Sequence, residues 1–106
     1  MSWNRYEPDG WAIVKTSEAY FIFGSFDGSF TTSDNWRRNS GISSYEEEEH
    51  FHLFHGFSGS TYACRKKHNR MNMYCQGVLN AMLEANEGAE VISVKDFLKE
   101  FDNEEI

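Results

Sequence analysis

The chain has 106 residues, 40% of them apolar and 16% aromatic, which suits one domain with its own core and excludes a disordered polymer. Seventeen Asp and Glu against ten Lys and Arg leave a net charge of −7, which disfavours direct nucleic-acid binding through a phosphate backbone and favours basic partners. Two cysteines, no charged-then-apolar leader and no apolar run near the roughly 18 residues of a membrane span predict a reduced, cytoplasmic protein with no membrane partner.

Residues 1–10 read as a lead-in. "WAIVKT" and "AYFIFGSF" follow as apolar, β-branched and aromatic runs separated by Ser17 and Glu18, the pattern of a hairpin. Asp27 and Gly28 supply the next tight turn, "SFTTSDNWRR" a third strand, and Asn39-Ser40-Gly41 another turn. "YEEEEHFHLFH", residues 45–55, alternates toward its end and reads as one strand, which the loop Gly56–Ser60 turns back into "TYACRKK". The period then changes. Met71, Cys75, Val78, Leu79 and Met82 recur at helical spacing, with Asn69 as N-cap and Gly88 beyond the end. Gly77 inside this helix predicts close packing against the sheet. After a short extended "EVI", Ser93 with Asp96 resembles a capping box, and Val94, Phe97, Leu98 and Phe101 line a second helix. The expected fold is α+β: an antiparallel meander of about five strands, then two C-terminal helices packed on one face, with residues 103–106 frayed.

The stretch "HFHLFHGFSGSTYACRKKH", residues 50–68, holds all four histidines and one cysteine. A five-residue hairpin loop makes paired residue numbers sum to about 116, setting His52 opposite Cys64, His50 opposite Lys66 and Phe54 opposite Tyr62. His50, His52 and Cys64 then share a face in a chemistry suited to zinc. Lys66 on that face repels a cation, and Glu48 and His68 are the only fourth ligands in view, so partly exposed sheet histidines are the better expectation, with no metal and no cofactor.

Three other motifs invite chemistry. Cys64 and Arg70 have the C-x5-R spacing of cysteine phosphatases, but Lys66-Lys67-His68-Asn69 offers no glycine for a loop closing around phosphate. "GFSGS" lacks a Gly-Lys-Ser/Thr ending and the G-x-S-x-G order, so it is a turn first. As an anion cradle it would use Ser58, Gly59 and Ser60 with Arg65, Lys66 and Arg70. Trp36, Arg37, Arg38, Phe30, Tyr62 and Arg65 have the residue types of a single-strand nucleic-acid platform, which the acidic balance weakens. Conversely, Glu46–Glu49 and Glu100–Glu105 have the charge of a DNA mimic, provided a fold holds them rigid.

"WRRNSGI" at 36–42 and "HGFSGSTYAC" at 55–64 resemble segments of small uncharacterised accessory proteins of tailed bacteriophages, over about a third of the chain. The resemblance assigns no catalytic residue. It implies a viral protein of the bacterial cytoplasm, in a class where small acidic proteins inhibit host or anti-phage defence factors. The resulting expectation is a non-enzymatic inhibitor or modulator that binds a host or defence protein through Trp36, Arg37, Arg38, Phe57, Arg65 and Lys67, because Trp and Arg dominate binding energy at interfaces. Self-association stays open. The alternatives are the small-anion or nucleotide module and the acidic DNA mimic.

Overall fold

A computed structural model describes residues 4–27, 34–67 and 69–104. The turn glycine Gly28, the aromatic Phe30, the ligand candidate His68 and the tail from Glu105 lie outside the described residues. The chain runs through β1 (Asn4–Tyr6), β2 (Gly10–Lys15), β3 (Tyr20–Asp27), β4 (Asp34–Arg38), β5 (Ile42–Glu47), β6 (Phe51–Gly56), β7 (Ser60–Arg65), α1 (Met73–Ala85), β8 (Glu90–Ile92) and α2 (Val94–Glu104). The α+β class is as expected, but the single five-strand meander is corrected. The eight strands form two four-stranded sheets, ordered β4-β3-β2-β8 and β1-β7-β6-β5.

Three local features explain the difference. The lead-in contains β1, which pairs in parallel with β7, so the first described residues cap an edge of the second sheet. "YEEEEHFHLFH" is two strands, because the chain reverses at Glu49 and His50, where Glu48 N–H donates to the Phe51 carbonyl at 2.9 Å. Between β4 and β5 the chain changes sheet. Asn39 N–H donates to the Ile22 carbonyl at 3.1 Å while its Oδ1 accepts from Ile22 N–H at 2.9 Å and Gly41 N–H at 3.3 Å. That side chain substitutes for one rung of the ladder, and Gly41, at φ +130°, takes the bend.

The predicted β2–β3 hairpin is present, in register from Gly10↔Ser25 to Lys15↔Tyr20, and Thr16 Oγ1 accepts from the N–H groups of Glu18 and Ala19 across its turn. Its two faces serve different cores. Ile13, Tyr20 and Ile22 face the second sheet and meet Ile42, Phe54, Tyr62 and Cys64, with Phe97 of α2 among them. Val14, Phe21 and Phe23 face the other way and are covered by Cys75 and Leu79 of α1. The two helices therefore lie on opposite faces of the first sheet, which corrects the expectation of one shared face. A strand buried on both sides needs apolar residues at successive positions, and Tyr20-Phe21-Ile22-Phe23 supplies them.

α1 starts later than expected. Asn72 is its N-cap, accepting from Cys75 N–H at 2.7 Å, and Asn69 has a different task. Gly77 is corrected as well: a Cβ there would meet nothing within 4 Å, so it packs against no sheet. For α2, Ser93 Oγ accepts from Asp96 N–H at 3.0 Å, as the capping reading expects, and the helix runs through Glu104 into the stretch expected to fray. Phe97 is buried with its ring 5.3 Å from Tyr20 and 5.6 Å from Phe54. Among the described residues no helix is long and apolar enough to cross a membrane.

Candidate functional site

The β6–β7 hairpin has the register inferred from its loop: His52↔Cys64 and Phe54↔Tyr62 are partners, and Lys66 N–H donates to the His50 carbonyl at 3.0 Å. His52 and Cys64 therefore share a face, but the candidate ligands differ in burial. Cys64 is fully buried, and that burial pushes its thiol far above the ordinary range, which disfavours the thiolate. His52 Nδ1 shares a 2.7 Å hydrogen bond with the Tyr45 hydroxyl, and its ring meets Trp11 edge-on at 5.8 Å. His50 is exposed beside Glu49, whereas His55 belongs to the opposite face, bridging Glu46 at 2.7 Å and Thr61 at 2.9 Å. Among the described residues no three His, Cys, Asp or Glu side chains gather as a metal site.

The Cys64…Arg70 spacing also loses its phosphatase geometry. Cys64 sits inside β7, and α1 begins only at Met73. The Gly-Ser loop spends its backbone donors on the protein: Phe57 N–H donates to the Gly41 carbonyl, Ser58 N–H to Ser40 Oγ and Gly59 N–H to the Gly56 carbonyl. Ser58, Gly59 and Ser60 lie at one end of β7, and Arg65 and Lys66 at the other, about 17 Å away at the ordinary rise of a strand. There Arg65 faces Asp9 at 3.7 Å and Lys66 holds Glu47 at 2.5 Å, while Arg70 N–H donates to the Asp9 carbonyl. The structure does not bring the six anion-site residues together.

The acidic run is similarly engaged. Glu46 bonds His55, Glu47 bonds Lys66, Glu48 lies 3.8 Å from Arg5 and Glu49 lies 3.7 Å from His50. These carboxylates are interleaved with Arg5, Lys66 and two imidazoles and do not form a bare row of carboxylates. The nucleic-acid platform is divided too, since Tyr62 is buried in the core and Arg65 belongs to the other sheet from Trp36.

The six partner-binding candidates fall into three places. Phe57, 72% exposed, crowns the β6–β7 turn over Gly41. Arg65 and exposed Lys67 lie at the opposite end of that ribbon, beside Phe51 and His50. Trp36, Arg37 and Arg38 stand together on β4, an edge strand of the first sheet. Alternation along β4 sends Trp36 and Arg38 to one face and Arg37 to the other. The Trp36 ring stacks on Phe23, with centroids 5.4 Å apart and planes 14° apart. The Arg38 guanidinium lies 3.9 Å above Phe21, and that of Arg37 lies 5.0 Å from the centre of Tyr6. Neither arginine makes an ion pair among the described residues. The rings against which Trp36, Arg37 and Arg38 lie, Phe23, Tyr6 and Phe21, are members of this cluster that the sequence reading missed. Their cross-strand positions follow only from knowing which strand pairs with β4 and which sheet lies beneath it.

A depression lies on each side of this strand. Arg38 lines one of about 460 Å³ with Val14, Phe21, Met82 and the carboxylate residues Glu18 and Glu87. Arg37 and Trp36 line another of about 500 Å³ with Tyr6 and Phe26. The arrangement is suited to recognition: two guanidinium groups oriented by aromatic faces present their donors outward with little side-chain entropy left to lose. Compared with known proteins, the chain matches no family model, no curated protein and no solved structure.

Proposed function

We propose that this protein is a non-enzymatic binding protein that engages another protein through β4. The observation that carries the reading is the exposed set Trp36, Arg37 and Arg38, seated on Phe23, Tyr6 and Phe21 with no ion pair among the described residues, in a chain of net charge −7. Aromatic and arginine side chains held in this way are the residue types that dominate interface energy. The buried Cys64 and the hydrogen-bonded His52 support the non-enzymatic part, because neither is placed to attack a substrate. The resemblance of residues 36–42 and 55–64 to phage accessory proteins supports a bacterial host or defence protein as the partner, and inhibition or modulation as the outcome.

The test is affinity purification from bacterial lysate with the wild-type chain, Trp36→Ala and the double variant Arg37→Ala/Arg38→Ala. A protein retained by the wild type should bind the variants about tenfold or more weakly, a loss of about 1.4 kcal/mol, while circular dichroism shows an unchanged fold. Retention of the same proteins by all three chains overturns the reading.

A further inference from the structure

On the face of the first sheet that α1 covers, the helix also contacts β4, and the depression of about 460 Å³ opens between the end of α1 and the β2–β3 turn. That volume is within the range of small-molecule sites, about 300–1,000 Å³. Val14, Phe21 and Met82 give it an apolar lining, and exposed charges of both signs surround them: Arg38 from β4, Glu18 from the turn and Glu87 just past α1. Among the described residues none of these three charges makes an ion pair.

Each charge asks for its opposite. The Arg38 guanidinium, held 3.9 Å above the Phe21 ring, keeps its fork of donors for a carboxylate, which it can bond twice. The two carboxylates come from the turn and from the C-terminal end of α1, whose last turn carries no basic residue and whose dipole adds negative charge there. An ammonium, with three donors, suits that side. A simple anion would be repelled by Glu18 and Glu87, and a simple cation by Arg38, whereas a zwitterion satisfies both. Its length follows from the chain. Glu18 stands three residues before Phe21, so the backbone positions beneath the two charges are at most about 10 Å apart, the reach of two or three extended residues. We propose that this depression binds a short zwitterionic peptide of two or three residues, its carboxylate on Arg38, its ammonium toward Glu18 and Glu87, and its apolar side chains on Val14, Phe21 and Met82. The site is additional to the protein-binding surface and shares Arg38 with it.

The full-length chain is titrated by NMR with alanyl-leucyl-alanine in three forms, with free termini, with the N-terminus acetylated and with the C-terminus amidated, and with leucine alone. The free tripeptide should shift the amides of Glu18, Arg38 and Glu87 saturably, and the two blocked forms and leucine should bind about tenfold or more weakly. Glu18→Gln/Glu87→Gln should weaken the free tripeptide about tenfold and leave the acetylated form unchanged, and Arg38→Gln should do the same with respect to the amidated form. The three substitutions are at exposed positions, and an otherwise unchanged amide spectrum verifies the fold. No saturable shift with the free tripeptide up to about 10 mM, equal binding of either blocked form, or shifts confined to other residues overturns the site. If a lysate protein is lost on Trp36→Ala while the tripeptide does not bind, this site fails and the protein-binding reading stands. If capture is indifferent to Trp36 while the titration behaves as expected, the converse holds.

Discussion

Asn69 grips the backbone of Trp11 with both ends of its amide: Oδ1 accepts from Trp11 N–H at 2.7 Å and Nδ2 donates to the Trp11 carbonyl at 3.0 Å. A side chain thus stands in for a neighbouring strand at the start of β2. The indole of Trp11 reaches across to donate to the Arg65 carbonyl at 3.0 Å, tying the first sheet to the end of β7. Replacing Asn69 by alanine removes two hydrogen bonds and should cost about 1–2 kcal/mol, read as a lowered urea midpoint with an unchanged slope.

Gly77 and Gly10 should respond oppositely to alanine. A Cβ at Gly77 enters open space on α1, so Gly77→Ala should stabilise by about 0.5–1 kcal/mol by restricting the unfolded chain. At Gly10 a Cβ would overlap the backbone of Arg70 and Met71, so Gly10→Ala should destabilise by about 1–3 kcal/mol. Thermal melting of the two variants beside the wild type decides both.

Acid should weaken the fold in two stages. Burial, and then the Lys66 ammonium, hold the His52 imidazole below its ordinary range against the smaller opposing effect of Glu47. The unfolded chain therefore takes up a proton that the folded chain resists. The His52 contribution is complete above the ordinary imidazole value of about 6.5 and is lost as pH falls through the folded value. Glu47, bonded by Lys66, and Glu100, bonded by Lys15 and Tyr20, are held below the carboxylate range and should add a second loss at lower pH. Urea midpoints measured from neutral to weakly acid pH should fall in the wild type and fall less in His52→Gln.

Cys64 and Cys75 are both buried thiols. In the native protein at neutral pH, iodoacetamide should modify neither within the time that labels both in denaturant, as counted by mass spectrometry. Fast native labelling of Cys64 would contradict the burial that raises its thiol.

Much of this architecture is legible in the residues. The short loop between β6 and β7 constrains their register, and so the cross-strand partnership of His52 with Cys64, because a hairpin with few loop residues has few ways to close. Helical spacing identifies Cys75, Leu79 and Phe97 as inward residues, and they are buried. The reversal at Glu49 and His50 is hidden because it uses neither glycine nor proline, and two alternating strands joined there read as one. Asn69 and Asn72 are equally good caps locally. The choice falls to Asn72 because Asn69 is drawn to Trp11, 58 residues earlier in the chain.

The sequence alone determined the α+β class, the two hairpins and the inward stripe of each helix, since all of these depend on periodicity between near neighbours. Tertiary structure decided which sheet each strand joined, which face each helix covered, and how the binding candidates were divided, with Trp36, Arg37 and Arg38 gathered on an edge apart from Phe57 and Arg65. Those choices turn on burying both faces of β2 and β3 at once, a condition imposed by residues far apart in the chain that no local pattern encodes.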